Sequence, residues 1–318
     1  MFKNMRLKLR MFLATALTFG LLYAIITLVA SFFGVHFYQF YILLGLLMIV
    51  IQYLAGPKIV ELTMKVRYVS EAEEPELHNM ISQLAQAAGI PKPRVGISEI
   101  PIPNAFAFGK TKKDGRICVT SGIVGLLSPN ELRAVLGHEM SHIQHNDMIV
   151  TTLISAVPLI CYYIGMSLIF SRGDNNGAGI IIGIIAIGAY FLGQLLVLLV
   201  SRIREYYADS GSVALGCPPE DLASALYKLV QGSAGSKEED VKEVKALKTF
   251  FANNVSSAKE EISELSQIDL NKDGSISRDE LISLKNNEIT IKRSSTVIEL
   301  FSTHPDMIKR IKKLSEMT

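Results

Sequence analysis

Several features that define other protein classes are scarce in this sequence of 318 residues. Only three cysteines occur, Cys118, Cys161 and Cys217, and no two of them form a C-x-x-C pair. Disulfide frameworks need paired cysteines and an oxidising compartment, so we expect no disulfide bonds and a reducing environment. The formal net charge is only +2 at pH 7, and no G-x-x-x-x-G-K-[ST] loop is present. The sequence therefore predicts neither a nucleic acid nor a nucleotide as a partner.

Charge is entirely missing from four long apolar stretches. They span residues 11–33, 37–55, 148–170 and 178–200. Each has about the 20 residues that a helix needs to cross the hydrocarbon core of a bilayer. Buried helices of a soluble core are rarely so long and so free of charge, and the first stretch is too long for a cleaved signal sequence. The pattern predicts a membrane protein with four transmembrane helices.

Lysine and arginine flank these stretches asymmetrically. Four precede the first stretch and three lie within residues 56–70, whereas the turn at residues 34–36 has none. Arg202 and Arg204 follow the fourth stretch, and the turn at residues 171–177 has a single arginine. Cytoplasmic segments carry the excess of positive charge in membrane proteins. We therefore expect a multi-pass protein of the cytoplasmic membrane, with both termini and the middle segment in the cytoplasm.

A short motif in the middle segment has the spacing of a metal site. His138 and His142 lie four residues apart with Glu139 beside the first, in the pattern H-E-x-x-H. On a helix these histidines share one face, so both can bind one zinc ion while the glutamate reaches a water molecule. Ser128 and Glu131 have the spacing of a capping box, which supports a helix through the motif and on into the third apolar stretch. Two surface histidines on an ordinary helix are the alternative for the motif alone.

The residues before this motif predict another helix and a small sheet. A helical pattern at residues 71–89 ends at Gly89. Strands are predicted at residues 94–100, 104–109 and 116–120. The second strand is a candidate edge strand, to which an extended peptide substrate can add through backbone hydrogen bonds. Its proposed contact residues are Asn104, Ala105, Phe106 and Ala107. An internal strand of the sheet is the alternative.

Two acidic residues after the fourth apolar stretch lie one helical turn apart. A catalytic zinc ion needs a third protein ligand besides two histidines, and a ligating histidine is usually oriented by a carboxylate. We predict Glu205 as the third ligand and Asp209 as the carboxylate behind a histidine. Alternatively, the two acids form a solvated face that pairs with Arg202 and Arg204.

Four motifs in order resemble the HtpX-type membrane zinc endopeptidases, which are relatives of the CAAX prenyl endopeptidases. They are N-A-F-A at residue 104, G-H-E-M-S-H-I at 137, S-R-I-R-E-Y-Y-A-D at 201 and F-S-T-H-P at 301. The resemblance implies one zinc ion per chain, held by His138, His142 and Glu205, and proteolysis of membrane or misfolded proteins at the lipid bilayer. It also implies a mostly helical α+β fold whose zincin domain, of the gluzincin type, is split by a transmembrane hairpin.

The expected domain order follows from these features. A transmembrane hairpin at residues 1–56 precedes the first part of the catalytic domain, residues 57–147. A second hairpin at residues 148–200 separates this part from the second, residues 201–318. Residues 259–286 form an insertion within the second part.

Catalytic roles can also be assigned. Glu139 would take a proton from the attacking water, and His304 is the candidate donor to the oxyanion. A helix-capping role before Pro305 is the alternative for His304, and Tyr206 or Tyr207 are alternative donors. Other functions are a catalytically silent membrane scaffold or metal-responsive adaptor with a zincin fold, and a prenyl-protein protease. The complete H-E-x-x-H motif favours an active peptidase.

The insertion contains a motif that the resemblance does not explain. Residues 269–280 match the twelve-position calcium loop of an EF-hand, with Gly274 at the sixth position. The candidate ligands are Asp269, Asn271, Asp273, Ser275 and Glu280. Because a lone loop lacks the usual partner loop, we expect a calcium affinity no tighter than roughly 10⁻⁵–10⁻³ M. A polar surface loop without bound metal is the alternative.

Overall fold

The computed structural model describes residues 38–170, 176–235, 258–286 and 305–318. The helices in these residues are α1 (Tyr38–Thr63), α2 (Pro75–Ala88), α3 (Pro129–Gln144), α4 (Asp147–Ile169), α5 (Asn176–Ala214), α6 (Pro219–Ala234), α7 (Ala258–Leu265), α8 (Arg278–Asn286) and α9 (Met307–Ser315). The strands are β1 (Val66–Tyr68), β2 (Arg94–Ser98), β3 (Ala105–Phe108) and β4 (Arg116–Thr120), with a 3₁₀ helix (Lys112–Asp114) before β4. The predicted mostly helical α+β fold is confirmed.

The sheet has the strand order β1-β2-β4-β3. β2 and β4 run parallel, while β1 and β3 are antiparallel to their neighbours. The three predicted strands are therefore present, β4 with the predicted bounds and β2 and β3 with slightly shorter ones. β3 lies at one edge of the sheet, and no other strand in the described part of the chain pairs with its outer side. Its aromatic residues, Phe106 and Phe108, pack against the end of α1.

Helix α2 confirms the helix predicted before the sheet. Its end is fixed by Gly89, whose φ of +63° is a left-handed conformation that glycine adopts without steric cost. The N–H groups of Gly89 and Ile90 then bond to carbonyls of the last helical turn.

The helix with the metal motif does not continue directly into the third apolar stretch, contrary to the prediction. α3 ends at Gln144 and α4 begins at Asp147. Between them Asn146 has a φ of +53°, which interrupts a right-handed helix and which asparagine tolerates better than most residues. The break places Asp147 at the start of a new helix.

The first described helix extends beyond residue 56, where the predicted transmembrane hairpin ends. α1 continues through Pro57 to Thr63. A proline inside a helix removes one backbone hydrogen bond. Burial of Val60 and Met64 against the aromatic residues of β3 holds the last turns in helical form. The residues after the second apolar stretch therefore form a helix end followed by β1.

One helix among the described residues is long and apolar enough to cross a membrane. It is the segment Ile180–Ala214 of α5. The stretches at residues 37–55 and 148–170 form parts of α1 and α4, and α4 packs against both α1 and α5. The stretch at residues 11–33 lies outside the described residues. The four-span topology and the domain boundaries therefore stay predictions.

Candidate metal centre

Helix α3 carries the H-E-x-x-H motif, and its N-terminus is firmly held. In the predicted capping box, the Ser128 hydroxyl accepts from the Glu131 N–H (3.4 Å) and the Glu131 carboxylate accepts from the Ser128 N–H (2.8 Å). Ser224 and Lys228 of α6 also donate to Glu131. Burial alone raises the pKa of Glu131, but the donors from Lys228, Ser224 and Ser128 outweigh it and lower the pKa. Glu131 therefore stays ionised and ties α3 to α6.

Three side chains of α3 converge at a buried point. One ligand atom each from His138, Glu139 and His142 lies within 4.8 Å of the others. The three residues are 5%, 4% and 0% exposed, so they are not surface residues. His142 Nε2 is 3.8 Å from Glu139 Oε2, and the two imidazole rings are 4.6 Å apart between centroids. Imidazole nitrogens beside a carboxylate form a donor set that suits zinc.

Each histidine has a carboxylate behind it. His138 Nδ1 lies 2.9 Å from Asp209 Oδ1, and His142 Nδ1 lies 3.3 Å from Asp147 Oδ2. An ionised carboxylate can only accept, so each Nδ1 carries the hydrogen and each Nε2 offers its lone pair. Asp209 thus lies where it was expected, whereas the spacing of the motif had not indicated this role for Asp147.

Glu205 lies at the same centre. Its Oε2 is 4.0 Å from His138 Nε2, and the residue is 2% exposed. Helix α5 comes close to α3 because Gly137 has no side chain: a Cβ there would lie 2.8 Å from Ser212 Oγ. The Ser212 hydroxyl donates to the Ala134 carbonyl at 2.7 Å. The structure therefore brings the predicted third ligand beside His138.

Glu205 and Asp209 do not form the solvated face that was the alternative. They are 2% and 0% exposed. Arg204 instead forms an ion pair with Asp147 and donates from Nη1 to the carbonyl of that residue at 3.5 Å. This pair links α5 to the first turn of α4 and, through Asp147, to His142.

A buried arginine of α9 joins the two acidic residues. Arg310 is 1% exposed, and its Nη2 and Nε donate to the two oxygens of Asp209 at 2.7 and 3.0 Å. Its Nη1 lies 3.2 Å from Glu205 Oε2. Burial alone lowers the pKa of Arg310, but the charges of Asp209 and Glu205 raise it above its usual range. The guanidinium is therefore a permanent positive charge behind the centre.

Arg310 was absent from the predicted site, although the sequence contains a signal for it. Met307, Ile311 and Leu314 form the buried face of α9, and Arg310 falls within this face. An arginine on an apolar helix face indicates a buried charge that needs an acidic partner. The partner could not be read from the sequence, because Asp209 lies 101 residues away.

The predicted substrate segment lies beside the metal helix. β3 packs against α3, and Asn104 to Ala107 are at most 4% exposed. The Asn104 N–H donates to Thr120 Oγ1 at 2.8 Å, which fixes the start of the strand. The edge position of β3 is confirmed, whereas its use by a substrate stays a prediction. His304 lies outside the described residues, so its role also stays a prediction.

The calcium-loop motif forms a closed loop between α7 and α8. The Asp269 carboxylate accepts from the N–H groups of Asp273 (3.1 Å) and Gly274 (3.0 Å), and Gly274 has a φ of +81°. Glu280, at the last position, accepts from the Leu270 N–H at 2.8 Å. The first and last carboxylates of the loop are therefore held near its centre, and calcium binding itself stays a prediction.

Comparisons with known proteins identify relatives of this chain. The model of Peptidase family M48 matches residues 71–318. The "Protease HtpX homolog" of Methanothermobacter thermautotrophicus is 65% identical over 225 residues, which cover 71% of this chain and 86% of that relative. "Protease HtpX homolog 2" of Methanosarcina acetivorans is 33% identical over 273 residues, which cover 84% and 81%. A crystal structure of S. mikatae Ste24p has a TM-score of 0.49 and 18% identity, covering 96% of this chain and 65% of that one.

Proposed function

Because this chain belongs to peptidase family M48, a family of metallopeptidases, we propose that it is a zinc-dependent endopeptidase of the cytoplasmic membrane. The observation that carries the proposal is the buried convergence of His138, Glu139 and His142 with Glu205. Glu205 belongs to the same helix as the apolar membrane segment. Membrane or misfolded proteins are therefore the proposed substrates, and the distribution of Lys and Arg supports a cytoplasmic catalytic domain.

The residues of the centre divide into ligands and a base. His138, His142 and Glu205 would hold one zinc ion, which supplies Lewis acidity toward water and the scissile carbonyl. Glu139 accepts the proton of the attacking water and passes it to the leaving amine. Asp209 and Asp147 keep the Nδ1 hydrogens in place, so that each Nε2 remains available.

Substrate binding is proposed at the outer edge of β3. An extended peptide there would form backbone hydrogen bonds next to α3, with little dependence on its sequence. His304 is the proposed donor to the oxyanion, since it directly precedes Pro305 at the start of the segment that leads to α9.

A silent scaffold or metal-responsive adaptor is the competing function. A scaffold has no need of a general base, yet Glu139 is present and its carboxylate lies at the buried cluster. Proteolysis of an unfolded protein by the purified chain would support the endopeptidase, and bound zinc without proteolysis would support the scaffold. Cleavage confined to prenylated substrates would instead support a prenyl-protein protease.

Glu205→Ala is expected to reduce the zinc content of the purified protein, because it removes a ligand. Asp209→Ala should weaken zinc affinity by a smaller factor, roughly 10–100-fold, since it removes the carboxylate that orients His138 and leaves the three proposed ligands in place. Zinc per chain, measured by elemental analysis during titration with a chelator, gives both values. Asp221→Ala removes an acidic side chain from α6, outside the centre, and serves as the control. Wild-type zinc affinity in Glu205→Ala would disprove the three-ligand assignment.

We also propose that the loop at residues 269–280 binds one calcium ion. Support comes from the way the carboxylates of Asp269 and Glu280 are held by backbone N–H groups. Burial alone raises the pKa of Glu280, but hydrogen bonds from Ser277, Asn271 and Leu270 lower it, so the carboxylate is ionised. Tyr227 of α6 donates to Asp269 at 3.3 Å and connects the loop to the catalytic domain.

Calcium is expected to raise the melting temperature of the wild-type protein but not that of Glu280→Gln. At about 100 times the dissociation constant, a single site stabilises by ~2.7 kcal/mol. Melting curves with millimolar calcium or magnesium measure the effect. Asp279→Asn changes the neighbouring acidic residue, which is not a loop ligand, and should keep the wild-type response. An equal response in Glu280→Gln, or none in the wild type, would rule out the calcium site.

A further inference from the structure

A cavity of about 450 Å³ lies where α1 meets the sheet. Its lining is rich in charge and includes Lys58, Glu61, Arg94, Lys110 and Arg116. None of these residues takes part in the metal centre or in the calcium loop. The cavity therefore needs an explanation of its own.

Arg116 supplies the most deeply buried of these charges. The residue is 9% exposed, and its Nη2 donates to Asp114 at 2.9 Å. Its Nε and Nη1 are buried without a hydrogen-bond partner in the described part of the chain. The Glu61 carboxylate comes no closer to Nη1 than 3.7 Å. Buried donors of a charged group cost free energy when unpaired, so an anion in this cavity would satisfy them.

The other charges also favour an anion. The Glu61 carboxylate accepts hydrogen bonds from Lys58, at 2.9 Å, and from Tyr68. Burial alone raises the pKa of Glu61, but these hydrogen bonds lower it, so the carboxylate is ionised. The negative charges at the cavity are those of Glu61 and Asp114, and the positive charges are those of Lys58, Arg94, Lys110 and Arg116. The positive charges therefore exceed the negative ones.

The cavity begins where the apolar surface of α1 ends. Leu43, Leu47 and Leu54 are 66%, 51% and 54% exposed, as expected for side chains in contact with lipid. Leu54 also lines the cavity, and Lys58 follows it one helical turn later. In the predicted four-span topology, on which this site depends, α1 crosses the membrane and phospholipid phosphates lie at the level of the basic side chains at this boundary.

We propose that this cavity binds a phosphate group, namely that of an anionic phospholipid headgroup. Arg116 donates charge-assisted hydrogen bonds to the phosphate from inside the cavity, while Lys58 and Lys110 attract it from the rim. The acyl chains lie along the exposed leucines of α1. A free phosphate ion has the same chemistry but makes no contact with the leucines, so the two sources can be separated by experiment.

The test uses the full-length protein in detergent. It is titrated separately with short-chain phosphatidylglycerol, short-chain phosphatidylcholine and inorganic phosphate, and binding is followed by melting temperature and native mass spectrometry. The test variant is Lys58→Gln/Lys110→Gln, which changes two side chains at the rim and leaves buried Arg116 intact. Lys112→Gln/Lys113→Gln removes the same charge from the adjacent 3₁₀ helix, outside the cavity, and is the matched control.

Phosphatidylglycerol should bind the wild-type protein and phosphatidylcholine should bind much more weakly. The affinity for phosphatidylglycerol should fall about fivefold for each lysine removed, or ~25-fold in the test variant. It should hardly change in the control. An equal response to inorganic phosphate, lost in the test variant, would overturn the lipid as the source. Absence of any anion response, or equal losses in both double variants, would overturn the site.

Discussion

Glu139→Gln should lose proteolytic turnover and keep its zinc. Glutamine fills the same space but cannot accept the proton of the attacking water, and removal of a general base costs about 10²–10⁴-fold in rate. The ligands proposed for zinc are His138, His142 and Glu205, so none of them is altered. The rate of cleavage of an unfolded protein and the zinc content per chain, measured on one preparation, check both parts of the expectation.

Glu131→Gln is the matched control for this experiment, because it makes the same chemical change on the same helix. Glutamine is compatible with the third position of a capping box, so α3 keeps its start and its metal motif. This variant loses the ion pair with Lys228, so it should be somewhat less stable than the wild type. It should retain turnover at moderate temperature. Joint loss of zinc and activity in Glu139→Gln would make Glu139 a ligand, and full activity would remove it from the mechanism.

Arg310→Met is expected to cause the largest loss of stability of any single change considered. Methionine fills much of the volume but leaves Asp209 and Glu205 as buried negative charges without their counter-charge. Breaking a buried ion pair in this way costs roughly 3–5 kcal/mol, which corresponds to a fall of roughly 4–8 °C in melting temperature for a chain of 318 residues. Thermal melting of the protein in detergent, with zinc held constant, measures the fall.

Two further variants separate charge from packing. Arg278→Met removes an arginine whose side chain is 65% exposed, 3.6 Å from Glu220, and a surface pair of this kind contributes only about 0–1 kcal/mol. Asp209→Asn, added to Arg310→Met, removes the buried negative charge and should recover part of the lost stability. A melting temperature for Arg310→Met that equals that of Arg278→Met would show that the ion cluster does not stabilise the fold.

Local signals in the sequence predicted much of this structure. The capping box at Ser128, the glycine that ends α2 and the four-residue spacing of His138 and His142 each act within about one helical turn. Interactions of such short range are encoded by neighbouring residues, so a single sequence suffices to read them. The alternation of small and aromatic residues at Ala105–Phe108 likewise predicted the strand β3.

Features that depend on distant contacts could not be predicted in the same way. α1 runs through Pro57 because Val60 and Met64 pack on β3, which no local rule for proline includes. The break at Asn146 places Asp147 where its carboxylate contacts both Arg204 of α5 and His142 of α3. These contacts stabilise the break. The part played by Arg310 depends on partners that the chain reaches only after folding.

The long separation between Arg310 and the motif on α3 has a consequence for the synthesis of the protein. His138 and Arg310, whose guanidinium contacts Asp209, are 172 residues apart, and Arg310 belongs to α9, the last of the described helices. A growing chain therefore exposes both histidines and Glu139 well before Asp209 and Glu205 acquire their counter-charge. Contacts that close such long loops form late in folding. The newly made peptidase should thus stay inactive toward its surroundings until α9 has docked.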